Sequence, residues 1–468
     1  MQEHIPVLII GGGPTGLSAA VFLARHGVPV TVVERRTDAL GHPRARAINP
    51  RTVELFRDAG LEPEILSECS RVYDENSQLI RARSLPSPEL RRTSMARPHS
   101  AAGTAGVSPC AWAPIDQDRL EILLREHARK LGADLRFGSR LLDFADFGGD
   151  GVDARIEDAD GVHDVRADLL IAADGHRSGV REALGIGFTG PGALGSSANF
   201  VFTADLEAQL RGRNLGVGHF DLPRPGTVLL PHDGTGRWVL GIPYHPAAGE
   251  SLDDFTPRRC AELAAAAVGA RPADITIVPQ LGDGTTVLGY EVEARVAERL
   301  RSGPVFLIGD AAHVMPPTGA FGASTGIQDA HNLAWKIAAV LAGRAGPGLL
   351  DTYEAERLPV ARFTMEQALL QLRERTGRDV PLPADVRGRR RRRRLRPAVR
   401  LGRDRRRAGR RRPGDRLRAG GTCPGRPGTP RPATCGCRAT AGRSPPSTCT
   451  AGARCCSPDR TAPRGRTP

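Results

Sequence analysis

At 468 residues the chain is long enough for two or three domains and a large buried core. Its formal charge of +14 suggests a nucleic-acid partner until the charge is located: residues 381–468 hold 26 Arg and four Asp with no Lys or Glu, a surplus of 22, which leaves the first 380 residues at −8. A nucleic-acid function therefore rests on the tail alone, and with neither a leader nor an apolar run of roughly 20 residues, a cytoplasmic protein with no membrane partner is expected.

Pro6 to Glu34 is the most informative stretch. Val7 to Ile10 reads as a strand buried on both faces of a parallel sheet. Gly11, Gly13 and Gly16 follow as G-x-G-x-x-G, with Pro14 and Thr15 inside the motif. The first glycine permits the tight turn, the second lets a pyrophosphate approach the backbone, and the third lets the new helix pack close to the strand. The phosphates would then sit at the helix N-terminus, where unpaired N–H groups favour negative charge. Leu17, Ala20, Val21 and Ala24 share one helical face, Gly27 closes the helix, and Val30 to Val33 is a second buried strand ending in Glu34. An acid at that point, about 20 residues past the glycines, accepts hydrogen bonds from a ribose. The complete βαβ unit predicts a dinucleotide site, with Arg35 beside the acid.

Arg44 and Arg46 follow in a proline-broken loop, close enough to reach a cofactor, although a solvated loop is the plainer reading. Thr52 to Ala59 reads as a short helix, and residues 70–110 are polar and irregular. Asp116-Gln117 opens another helix with Asp116 as its N-cap, and strands are expected around 135–137 and 152–156. A buried strand, Ala167 to Ile171, runs into Asp174-Gly175 and then Arg181, a second place for phosphates or ribose at the mouth of the sheet.

From Gly187 to Ala297 the texture changes to alternating segments between Gly/Pro turns, with one helix near Arg258 to Val268. That predicts a mainly antiparallel sheet inserted between halves of a parallel one, able to wall a pocket. Parallel character returns at Val305 to Ile308, which ends in Gly309-Asp310. A helix is expected to begin near Ser324, with Ile327, Ala330, Leu333, Ala334, Ile337, Ala338 and Leu341 as its buried stripe. Asp310 could bind sugar hydroxyls or cap a turn, and His313 reads as a packed histidine. The expected architecture is α/β: a Rossmann-like cofactor domain in residues 1–186 completed by 298–380, an inserted substrate sheet in 187–297, and a tail in 381–468.

Gly11 to Gly16 with Glu34, Asp174-Gly175 with Arg181, and Gly309-Asp310 with Pro317 to Gly326 together resemble a known family. It is the single-component FAD-dependent aromatic hydroxylases, the para-hydroxybenzoate hydroxylase-like monooxygenases. The likeness points to the branch that oxidises phenols and aromatic polyketides in actinomycetes, and it spans about residues 5–375. It implies that the glycines and Glu34 bind the ADP half of FAD and that Arg44 and Gln117 line the cofactor. It also implies that Asp174-Gly175 serves FAD and NAD(P)H and that Asp310 holds the ribitol. Gly322, Ala323, Ser324 and Thr325 would bring N–H groups to the ring's pyrimidine edge. Ala320 and Ser324 stand where Gly and Asn are usual.

The implied reaction is reduction of FAD by NAD(P)H, addition of O2 at the flavin C4a, and attack of an electron-rich aromatic ring on the distal oxygen of the hydroperoxide. His219, in the inserted sheet, is the candidate proton acceptor. Partners are then a small aromatic substrate and O2, in a monomer or homodimer. A halogenase or reductase of the same fold is the enzymatic alternative, but no W-x-W-x-I-P supports halogenation.

Cys69, Cys110 and Cys260 are scattered through the body, and the other six cysteines lie in the tail without zinc-like spacing, so no metal is expected. The tail also lacks Ile, Phe, Tyr, Trp and Met, which predicts disorder, and it offers no aromatic residue to stack on bases. Back-translating Ser447 to Asp459 one position out of frame permits the D-L-x-G-R-G-x-V-L-L-x-G run of the family's thioredoxin-like C-terminal domain. A shifted reading frame is therefore the expected origin of the tail.

Overall fold

The computed structural model describes residues 3–37, 45–74, 76–95, 107–146, 151–377 and 380–382. Arg44 and the expectations for residues 383–468 lie outside them.

The opening strand, Glu3–Ile10, sits at the centre of a largely parallel sheet. It pairs in parallel with Val30–Glu34 on one side and with Gly161–Ala172 on the other. Val305–Leu307 extends the sheet beyond the latter, and Asp134–Phe137 extends it beyond the former. The apolar runs of these strands are buried because helices cover them: Pro14–Arg25, Gln117–Lys130 and Gly322–Leu341 contribute Leu17, Leu23, Leu120, Leu124, Ile327 and Leu333 to one continuous core. Parallel register has a direct consequence for function. Ile10 lies opposite Val33 and Ala172, and Leu307 lies opposite Ala172, so all these strands finish at one edge. Gly11, Glu34, Asp174 and Asp310, spread over 300 positions of sequence, therefore emerge side by side, where ligands bind in open α/β sheets.

A second, mainly antiparallel sheet has its own core. Phe188–Thr203, Arg237–Tyr244, Thr227–Pro231 and Leu215–Phe220 form its centre in that spatial order, with Val287–Ala297 on the far side. Period-two alternation separates its two faces. Ala198, Phe200, Phe202, Leu229, Leu240 and Ile242 pack beneath the Pro257–Val268 helix, against Cys260, Ala264 and Val268. Their neighbours Asn199, Val228, Leu230, Val239 and Gly241 face the cavity described below.

The structure also departs from sequence expectation. Residues 70–110 are not simply irregular: Gln78–Ala82 and Glu89–Ser94 join the second sheet, so its strands are not confined to 187–297. A run with Arg81, Arg91 and Arg92 hides this, because Glu89–Ser94 is an exposed edge strand and Arg81 borders the cavity described below. Asp116 occupies the N-cap position but makes no side-chain cap hydrogen bond; its carboxylate is taken by Arg46. The long helix starts at Gly322, near the expected Ser324. Finally, Asp351–Thr376 forms a helix that carries Pro359 and packs Ala361, Met365 and Leu369 against Ala294 and Val296 of the second sheet.

Candidate active site

A cavity of about 3670 Å³ opens between the strand ends of the parallel sheet, the free face of the second sheet and the Asp351–Thr376 helix. Ligand pockets usually run to about 300–1,000 Å³, so there is room for a dinucleotide and a second molecule together.

At one end lies the glycine turn. Gly11 has φ +111°, and a Cβ on it would stand 2.2 Å from the Ala173 carbonyl oxygen. A Cβ on Gly16 would stand 1.9 Å from the Gly11 oxygen, so Gly16 serves close packing and does not line the cavity. Gly13 differs: nothing of the protein lies within 4 Å of a Cβ there, and it borders the cavity with Pro14 and Thr15. The buried Glu34 carboxylate accepts the Gly12 N–H at 2.6 Å and the Arg36 N–H and Nε at 3.0 Å. Burial alone would raise its pKa, but these bonds outweigh burial and hold it below the usual range. Glu34 therefore remains an anion that fixes the turn while one edge faces the cavity beside Arg35.

The second motif supplies Asp174 and Gly175 to the same cavity. Asp174 accepts the Val180 N–H through Oδ2 at 3.2 Å, and its Oδ1 is buried without a hydrogen bond. Burial pushes its pKa up, offset only in part by Ser178 and Val180. Arg181 does not reach the cavity. Its guanidinium lies 4.1 Å over the Phe188 ring and donates to the His176 carbonyl and Glu182, bracing the motif against the second sheet.

The third motif is keyed to the first through Thr15. A Cβ on Gly309, whose φ is +61°, would meet Thr15 Oγ1 at 2.7 Å, and one on Gly326 would meet it at 2.5 Å. Gly309 is thus a packing residue, whereas the exposed Asp310 borders the cavity with Pro317, Gly322, Ala323 and Thr325. Ser324 does not. It is fully buried and its hydroxyl accepts the Asn49 N–H at 3.0 Å, tying the helix start to the Pro50–Asp58 helix. Gln117 lines the cavity, donates to Glu121 at 2.8 Å and accepts the Ala45 N–H at 3.3 Å, anchoring the loop at Ala45.

Arg46 is more than the solvated loop residue its spacing suggested. It pairs with Asp116 at 2.9 Å, donates to the Pro231 and His232 carbonyls, and lies 5.3 Å over the Tyr73 ring. It clamps the cofactor side to the second sheet, which no local signal could have announced.

His219 lines the cavity on the second sheet with Val217, Val228, Leu230 and Val239, and Phe363, Gln367 and Gln371 of the last helix also border it. Both its ring nitrogens are buried without partners. Burial, and then Arg375 and Arg81, push its pKa down to about 3. Burial therefore favours the neutral form of the imidazole. His313 is a packed histidine, fully buried against Asp329.

These groups fit FAD on three observations: a glycine turn open only at Gly13, a fixed anion at the end of the second strand, and an unpaired Asp174 oxygen in the cavity wall. The FAD binding domain family matches residues 4–368, and the chain belongs to that family. Aklavinone 12-hydroxylase of Streptomyces purpurascens is 43% identical over 374 residues, covering 79% of this chain and 69% of that protein. Tetracenomycin B2 monooxygenase-dioxygenase of Streptomyces olivaceus is 44% identical over 380 residues, covering 78% and 68%. The crystal structure of aklavinone-11 hydroxylase with FAD and aklavinone superposes with a TM-score of 0.75 at 41% identity, over 80% of this chain and 70% of that one. Against these Streptomyces proteins and a third, the chain spans 57–69% of the relatives' own lengths. The fold, cofactor and enzyme class are those of the FAD-dependent aromatic-ring monooxygenases. Among the described residues no helix is long and apolar enough to cross a membrane.

Proposed function

We propose that this protein hydroxylates a phenolic ring of a polycyclic aromatic polyketide, consuming one NAD(P)H, one proton and one O2 and releasing NAD(P)+ and water. The observation that carries this reading is the continuity of the cavity, which joins a dinucleotide cradle to a chamber walled by Val217, Val228, Leu230, Val239 and Phe363. FAD, when bound, supplies the two-electron exchange with NAD(P)H and the activation of O2. Gly13, Glu34, Arg35, Asp174, Gly175 and Asp310 would hold it, and the helix start at Gly322–Thr325 would meet its ring. In this reading residues 1–186 and 298–380 serve the cofactor, and 187–297, joined by the strands of 78–94, serve the substrate.

The apolar walls exclude water from the reacting ring. His219 donates or accepts a hydrogen bond with a substrate oxygen, and the positive field of Arg375 and Arg81, felt at His219, stabilises negative charge that develops on that oxygen. A more electron-rich ring is the better nucleophile toward activated oxygen. Purified protein should show a flavin absorbance spectrum and oxidise NADPH faster with one phenolic polyketide of a panel, whose product gains one oxygen atom. Colourless protein that also refuses added FAD, or a flavoprotein indifferent to every aromatic compound, would overturn the reading.

A further inference from the structure

We propose that Asp329 is a positioning residue for FAD, a buried carboxylate that presets the Gly309–Thr325 wall of the cavity and ties it to the substrate sheet. Asp329 does not line the cavity and is fully buried. Its two oxygens nevertheless collect groups from three separate parts of the fold. Oδ2 accepts the Gly309 N–H at 3.3 Å and meets His313 Nε2 at 2.6 Å, while Oδ1 accepts Arg357 Nε at 2.6 Å. Arg357 also donates to the Thr325 carbonyl at 3.3 Å, in the first turn of the helix that faces the cofactor.

Each partner leads somewhere useful. Gly309 precedes Asp310, so the carboxylate fixes the turn that presents the ribitol-binding acid. His313 and Val314 pair with Val296 and Arg295, so the same carboxylate reaches the edge of the substrate sheet. Arg357 belongs to the helix that carries Phe363 and Gln367 into the substrate chamber. A buried ion cluster is weak evidence for stability, because an apolar set of similar volume often does as well. Such a cluster does restrict geometry, since three directional bonds converge on one carboxylate, and geometry is what a flavin wall requires.

The proposal rests on the flavin reading but is tested without turnover. In the full-length D329L/R357L variant both charges are replaced by apolar side chains. The apoprotein should stay folded but melt lower, because the Gly309 N–H and His313 lose their acceptor, while the FAD Kd, from flavin fluorescence quenching, rises about tenfold or more. A folded variant whose Kd stays within about threefold would overturn the proposal. A second measurement needs no variant: in hydrogen exchange on the unmodified apoprotein, peptides within 309–325 should be nearly as protected as in the FAD-loaded protein. Free exchange there until FAD is added would mean that the cofactor, not Asp329, orders the wall. A protein that binds FAD as described yet hydroxylates nothing would sink the proposed function and leave this inference standing.

Discussion

Gly11 and Gly13 are two positions apart and answer to different constraints. Ala at Gly11 would drive a Cβ to 2.2 Å from a backbone oxygen in a left-handed conformation, so G11A should destabilise the fold, with roughly 1–3 kcal/mol from backbone strain alone, and abolish the flavin spectrum. Ala at Gly13 meets no protein atom, so G13A should leave the apoprotein's stability within about 0.5 kcal/mol of the unmodified chain while weakening FAD binding. Melting curves and fluorescence titration of the two variants separate these effects. Ala320 is the reverse case. It has φ +53°, where the family's usual glycine would be at ease, so A320G should add about 1 kcal/mol of stability, read as a higher urea midpoint.

His219 links a residue to a pH dependence. Its folded pKa of about 3 lies below the ordinary 6.5, so the unfolded chain binds more protons between those values. The stability gained by keeping it neutral is complete above about pH 7 and is lost as pH falls from 6.5 toward 3. Between pH 7 and 5 the loss from this one group is about 2 kcal/mol. His331, pushed to about 4 by burial, adds a slope of the same sign. Urea melts at the two pH values should therefore show H219Q keeping the His331 part and losing its own; an undiminished slope would mean that the imidazole is solvated.

Among elements, the informative joint is the one Arg46 makes between the loop before the Pro50–Asp58 helix and the turn after Thr227–Pro231. Removing a partly buried partner leaves the other charge uncompensated, so R46A should cost about 3 kcal/mol. D116A should cost less, since Asp116 is the more exposed of the pair. The double variant should recover part of the sum, a coupling of about 0.5–3 kcal/mol in a urea cycle. If the two losses simply add, the pair is not a clamp.

For the whole molecule, every described residue bordering the cavity precedes position 378. A chain shortened after residue 382 is therefore expected to bind FAD within about twofold of the full chain's affinity, and FAD at 100 times its Kd should stabilise either form by about 2.7 kcal/mol. Thermal melts with and without FAD check both statements; a shortened chain that binds no FAD would show that the cofactor site depends on residues beyond its own walls.

The sequence by itself determined the parallel sheet and its cofactor edge. Each of the three motifs is local: a buried strand, a small-residue turn and a helix start follow within a few residues, and steric rules for glycine and helix ends act at that range. It also determined that 187–297 is mainly antiparallel, because alternation has a period of two that a single strand reveals. What only the tertiary structure decided depends on contacts between distant segments. The pairing of Gln78–Ala82 with Leu215–Phe220, the clamp of Arg46 on the Pro231 and His232 carbonyls, and the gathering of Gly309, His313 and Arg357 on Asp329 leave no local pattern. Ser324 and Arg181 show the other side of this limit. Both stand in motifs that suggest cofactor contact, but packing turns Ser324 toward Asn49 and Arg181 onto Phe188. Spacing places a side chain on an element, and only the neighbouring elements decide which way it faces.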